Sequence, residues 1–378
     1  MPGEGQPTDA SEPIRRPGVM VMSFSAVTIE KSTRGRFFED FHVGETIRHA
    51  APRTIGEGDA AFYQACYGGR FAVQSSAPFA RAIGYQRAPI DDLLVFHVVF
   101  GKTVPDLSLN AVANLGYADV RFLASVYSGD TLSAETEIIG LRENSNRESG
   151  VVYVRSTGRN QHGEAVLTYA RWVMIRKRDK DAAVQAAVVP DLPDHVPAMA
   201  IGTAVPHFDA GGYDRQLAGS AFVWGDYRPG ERIDHVDGMT IEEAEHQLAT
   251  RLYQNTAKVH FNQHSEGQGR FGRRLVYGGV VISLARALSF NGLQNAFHIA
   301  AINGGRHVAP AFAGDTVYAW SEVLDRAELM GRTDVGALRL RTIATKNMTC
   351  EAFPGPSDRA ATSEGVILDL DYWIVMPR

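Results

Sequence analysis

Two hydrophobic periods run through this chain, and they recur in the same order twice. Period-two alternation marks GVVYVRSTGRN (150–160) and EAVLTYARWVMIRKR (164–178), then ALRLRTIATKN (337–347) and GVILDLDYWIVMP (365–377), which predicts strands. An apolar run preceding each group predicts a long helix, Asp92 to Lys102 in one case and Gly278 to Phe290 in the other. A shorter helix is predicted earlier still, Gly58 to Tyr67 and Glu242 to Tyr253, followed by an irregular polar loop. One long helix and then a run of antiparallel strands is an α+β layout, with the sheet wrapped on that helix.

The recurrence is a true repeat. At a single offset of 186, Asp40 matches Asp226, Gly44 matches Gly230, Glu45 matches Glu231, Ile47 matches Ile233 and His49 matches His235. The same offset matches Thr54-Ile55 with Thr240-Ile241, Glu57 with Glu243, Tyr67 with Tyr253 and Val73 with Val259. One residue shorter, it matches Asn110 with Asn295, Arg121 with Arg306 and Gly129-Asp130-Thr131 with Gly314-Asp315-Thr316. A period this long is duplication of a whole domain and not a solenoid of short units. The predicted organisation is a disordered lead-in at 1–34 (with Met20 and Met22 as alternative starts), a domain at 35–178, a connection at 179–220 and a second domain at 221–378.

Composition narrows the function classes. The chain is 44% hydrophobic and 21% charged, with a formal net charge of -5, as a globular protein in water would be. Mild acidity excludes a general nucleic-acid or membrane-surface binder, which needs a basic field. No apolar run reaches membrane-spanning length. The two cysteines, Cys66 and Cys350, form neither a disulfide framework nor a metal-ligand spacing, which places the protein in a reducing, cytoplasmic setting with no metal.

The chemistry gathers between Tyr253 and Asn291. His260 lies upstream of Gly278-Gly279, which opens the apolar run. An imidazole beside free backbone N–H groups at a helix start suits proton transfer next to a developing oxyanion. His49 and His235 match between copies and read as structural, as do Arg121 and Arg306. His97, inside an apolar helix, reads as a core histidine, and Asp91-Asp92 as a helix N-cap pair.

This layout, the Gly-Asp-Thr turns and the loop–histidine–glycine–helix stretch resemble the MaoC-like hydratases of the hotdog fold. APIDDLLVFHVVFGKTVPDLSLNAVANLGYADVRF, GLRENSN and GVVYVRSTGRNQ in the first copy resemble the branch of that family that hydrates mesaconyl-CoA. The resemblance implies two tandem hotdog domains, a double hotdog, each an antiparallel sheet around a long central helix. It also implies a lyase acting on a small-molecule acyl-CoA thioester, with coenzyme A as part of the substrate, no further cofactor, and a homodimer.

Carried over by position, the family histidine falls on His260 and the helix-opening glycine on Gly278, with Tyr277 and Gly279 beside it. The family aspartate falls on Asn255, a departure, because an amide cannot accept a proton. His260 then works alone, or another carboxylate reaches the site (Asp91, Asp92, Glu243 or Glu266), or the substrate's own carboxylate assists. In the first copy these positions are Gly69, Gln74 and Asp92, so the first copy has lost the machinery. The substrate carboxylate that the resemblance implies needs a cation, and Arg273 and Arg274 are the expected partners, with Lys258 next. A hotdog thioesterase and a non-catalytic acyl-CoA binder are the alternatives.

Overall fold

The computed structural model describes residues 31–355 and 363–378; most of the lead-in at 1–34 lies outside them. In the first half, β1 (Thr46–Arg48) and β2 (Arg53–Thr54) precede the helices α1 (Glu57–Tyr67), α2 (Ala72–Ser75), α3 (Ala77–Ala82) and α4 (Asp92–Leu107). Four long strands follow: β3 (Ala111–Phe122), β4 (Thr131–Glu143), β5 (Ser149–Arg159) and β6 (Ala165–Arg176). After the connection, which holds α5 (Arg215–Ala218), the order repeats with β7 (Arg232–Asp234), β8 (Met239–Thr240), α6 (Glu243–Leu252), α7 (Lys258–Phe261), α8 (Gln263–Glu266) and α9 (Gly278–Leu288). The second half closes with β9 (His298–His307), β10 (Thr316–Glu328), β11 (Val335–Lys346) and β12 (Val366–Pro377).

All strands join one antiparallel sheet in the order β1-β4-β5-β6-β3-β9-β12-β11-β10-β7, with β2 on β4 and β8 on β10. The halves meet where β3 pairs with β9, Tyr117 opposite Gly305 and Val120 opposite Ile302. That register is reciprocal under the repeat, as a pseudo-twofold axis requires. Two contacts between repeat-equivalent residues mark the same axis. The hydroxyls of Tyr67 and Tyr253 lie 2.8 Å apart, and His97 Nε2 lies 3.0 Å from Ser283 Oγ.

The long helices are apolar on nearly every side and are buried accordingly. α4 continues past Lys102, where a polar residue had marked its predicted end. Lys102 is itself buried, with its ammonium on the Ala51 carbonyl at 2.5 Å, so no solvated turn interrupts the helix. Gly101 has a packing reason: a side chain there would strike the Tyr253 carbonyl, so the first half's helix presses on the loop of the second half that leads to His260. His49 and His235 occupy matching structural positions, bonding Thr136 Oγ1 at 2.7 Å and Ser321 Oγ at 2.8 Å respectively.

The connection at 179–220 is packed. It bridges Leu141 through Val188 and buries Val196, Ile201, Val205 and Phe208. Phe208 stacks on Phe297 of the second half at 5.6 Å.

Candidate active site

α6 ends at Leu252, and the chain then turns sharply. Gln254 adopts the left-handed conformation (φ 55°), uncommon for a residue with a side chain. The buried Asn255 accepts the Ala257 N–H through Oδ1 at 3.0 Å, while its own N–H donates to the Thr250 carbonyl. An Asn side chain bonding the backbone two residues on is a turn-forming device. Here it launches the short helix α7 that carries His260. Asn255 therefore shapes the loop at the family aspartate's position.

His260 is fixed from two directions. Gln247 Nε2 donates to its carbonyl at 2.6 Å, and its Nδ1 donates to the Leu275 carbonyl at 2.9 Å. A proton on Nδ1 leaves the Nε2 lone pair free to accept one. Burial pushes the ring down to about 4, with the Leu275 carbonyl opposing, and no carboxylate figures among the influences on it. His260 is thus a neutral base at neutral pH.

Tyr277 caps α9 with extended backbone, and its N–H donates to His246 Nε2 at 3.0 Å. That anchors the start of α9 beside His260, whose ring lies 5.4 Å from Tyr277 and 6.1 Å from His246. The first N–H groups of a helix have no partner within it and carry its positive dipole end. A side chain at Gly278 would collide with the His307 ring, and one at Gly279 with Tyr277 and His97. Both glycines are there because rings crowd the helix start. His307 Nε2 is buried without a hydrogen-bond partner among the described residues, and its ring is held down to about 4 by burial and by His260.

The structure sorts the remaining expected residues. Lys258 and Arg273 are exposed, Arg273 lying over the Phe312 ring at 3.9 Å. Arg274 is tied to Glu243 and donates to the Phe261 carbonyl at 3.3 Å. Glu243 is thereby engaged as well, and Glu266 accepts from Ser265 Oγ. In the first half, Asp91 caps α4 at the Leu93 N–H, and Asp92 accepts from His298 Nδ1 (3.0 Å) and the Ile299 N–H (2.8 Å). Gln74, at the position of His260, donates to the Phe297 carbonyl at 2.7 Å. His97 is wholly buried, as a core histidine would be, and it also borders Gly279.

His246 and His307 went unnoticed in the sequence, although the repeat holds the signal. At the two offsets their counterparts are Ala60 and Phe122, so each is an imidazole present in one copy only, like His260 against Gln74.

Burial holds His97 and His246 down to about 3, and His260 and His307 to about 4, against an ordinary 6.5. As pH falls below 6.5 the unfolded chain takes up protons that the folded chain refuses. This contribution to stability is complete above 6.5 and is lost as pH falls toward 4. The urea midpoint is expected to drop steadily between about pH 6.5 and pH 4.5. A midpoint that stays flat across that window would show that these rings are not buried in the neutral form.

The family model for mesaconyl-CoA hydratase matches residues 22–361. The β-methylmalyl-CoA dehydratase of Chloroflexus aurantiacus is 61% identical over 349 residues, 92% of this chain and 99% of that protein. A crystal structure of a MaoC domain protein dehydratase from the same organism superposes with a TM-score of 0.90 at 60% identity, covering 93% of this chain and 99% of that one. A double hotdog protein of Mycobacterium tuberculosis shares the fold, with a TM-score of 0.74 at 24% identity over 91% of this chain and 99% of its own. With an identity this high over nearly the full length, and a histidine and a glycine helix start assembled in the second half of a double hotdog, the chain belongs to the mesaconyl-CoA hydratase family.

Proposed function

We propose that this protein is a hydro-lyase that reversibly hydrates mesaconyl-CoA to β-methylmalyl-CoA. The observation that carries the reading is the His260 ring, its Nδ1 held by the Leu275 carbonyl and its face packed near Tyr277 at the glycine start of α9, in a chain 61% identical to a protein named for that dehydration.

Hydration needs a polarised thioester oxygen, a base for water, and a proton for the α-carbon. The helix-start N–H groups of Gly278 and Gly279 hold the oxygen as negative charge develops on it. His260 Nε2 takes a proton from water as the water oxygen bonds the β-carbon and the π electrons move toward the thioester oxygen. The imidazolium so formed returns a proton to the α-carbon, and dehydration runs the same steps backwards. No electrons are exchanged with a partner, so the reaction as written requires only the coenzyme A that the substrate carries. Lys258, exposed on α7 with His260, and Arg273, exposed on the loop before α9, suit the coenzyme's phosphates.

The test is a dual-readout assay of the purified protein with mesaconyl-CoA. Loss of enoyl-thioester absorbance without release of free thiol is expected. Stoichiometric thiol release would make the protein a thioesterase, and no change in either signal would leave it a binder.

A further inference from the structure

The first half contributes a buried cation that the fold does not neutralise. Arg171 on β6 is 0% exposed. Its Nη2 donates to Thr103 Oγ1 at 2.9 Å and more weakly to Ser108 Oγ at 3.5 Å, while Nε and Nη1 are buried and find no hydrogen-bond partner among the described residues. The guanidinium lies 4.2 Å over the Phe100 ring, and the groups that act on it electrostatically are the phenols of Tyr169, Tyr117 and Tyr277, none of them a carboxylate. The other buried arginines among the described residues differ. Arg341 is bidentate to Asp369, and Arg286 lies in the field of Asp91 and Asp92. A buried charge without a counter-ion is strongly unfavourable unless an anion arrives.

Arg171 also faces the reaction site. It sits opposite Tyr117 across β6–β3, and Tyr117 sits opposite Gly305 across β3–β9. His307 is two residues beyond Gly305, so it shares that inner face, and its ring packs edge-on against Tyr117 at 6.1 Å. Gly278 abuts His307. One row across three strands therefore joins the oxyanion position to Arg171, over two strand spacings of roughly 4.8 Å each. The arginine side chain spans part of that distance. In mesaconyl-CoA the free carboxylate lies three bonds beyond the thioester carbon, pointing away from coenzyme A.

We infer that Arg171 receives the free carboxylate of the substrate, a specificity role supplied by the half that lacks His260. This rests on the proposed hydration of a carboxylated enoyl-CoA. It moves the carboxylate pocket from Arg273 and Arg274, one exposed and the other already paired, to a strand of the other half. The free N–H donors of Nε and Nη1 lie on different edges of the guanidinium, so a carboxylate oxygen takes a charge-assisted hydrogen bond from one of them.

The experiment compares carboxylated and uncharged thioesters in the full chain. In the wild type, the unreactive succinyl-CoA is expected to inhibit about tenfold more tightly than butyryl-CoA, and equal inhibition would overturn the inference. Arg171→Met should lower kcat/KM for mesaconyl-CoA on the order of 10²-fold while leaving crotonyl-CoA within about threefold, and Arg171→Lys should fall between. Because the substitution removes an unpaired buried charge, the ligand-free variant should melt no lower than the wild type. Equal losses on both substrates would make Arg171 structural. If Arg171→Met does not fold, the wild-type inhibition pattern and Arg171→Lys still decide. A wild type that prefers succinyl-CoA yet fails to hydrate mesaconyl-CoA would sink the proposed reaction and leave the carboxylate receptor standing.

Discussion

Replacing His260 with alanine is expected to lower kcat by on the order of 10²- to 10⁴-fold, the range for losing a positioned acid-base group. The ring's tautomer is fixed by its bond to the Leu275 carbonyl, and among the described residues no carboxylate acts on it. Gln74→Ala, the equivalent change in the first half, removes only a bond to the Phe297 carbonyl and should leave kcat nearly unchanged. The comparison is internal, since both positions occupy the same place in the repeat. Similar losses from the two substitutions would refute the assignment of chemistry to the second half.

Gly278→Ala should lower kcat on the order of 10²- to 10³-fold, comparable to removing an oxyanion donor. The added methyl meets the His307 ring, which is packed in turn against Tyr117, so the ring or the helix start must shift. Gly278 is absent from the positive-φ glycines, so alanine adds no backbone strain, and alanine is the better helix former. Relieving the overlap with His307 costs about 1–3 kcal/mol, so the thermal midpoint should fall modestly while turnover collapses. Unchanged kcat with an unchanged fold would show that the thioester oxygen is held elsewhere.

The fold was largely legible because duplication leaves a signal that does not depend on propensity. Tyr67 and Tyr253 match in sequence, and they touch in space because both lie on the pseudo-twofold axis. The alternating segments became β5, β6, β11 and β12 with ends displaced by a residue or two. The end of α4 was less legible. Lys102 is read as polar in sequence and is buried in fact, and tertiary acceptors at Ala51 and Gln254 allow that.

The site was half legible for a related reason. His260, Gly278 and Tyr277 lie within one local stretch, so spacing alone places them together. His307 comes from β9 and Arg171 from β6 of the other half, and nothing short of the sheet register brings them near α9. Arg274 was misleading for the opposite reason: its proximity in sequence to Gly278 conceals that Glu243, on another helix, already holds it.

The pairing of β3 with β9 also bears on how the chain is made. During synthesis β3 gains β6 as a partner only once that strand has been made, and its second partner, β9, is translated only after the whole connection. Until then the row from Tyr117 to Arg121 is an unsatisfied strand edge, the kind that recruits foreign strands. A nascent first half thus carries an exposed strand edge, and the packed 179–220 segment is translated ahead of β9, the strand that covers that edge.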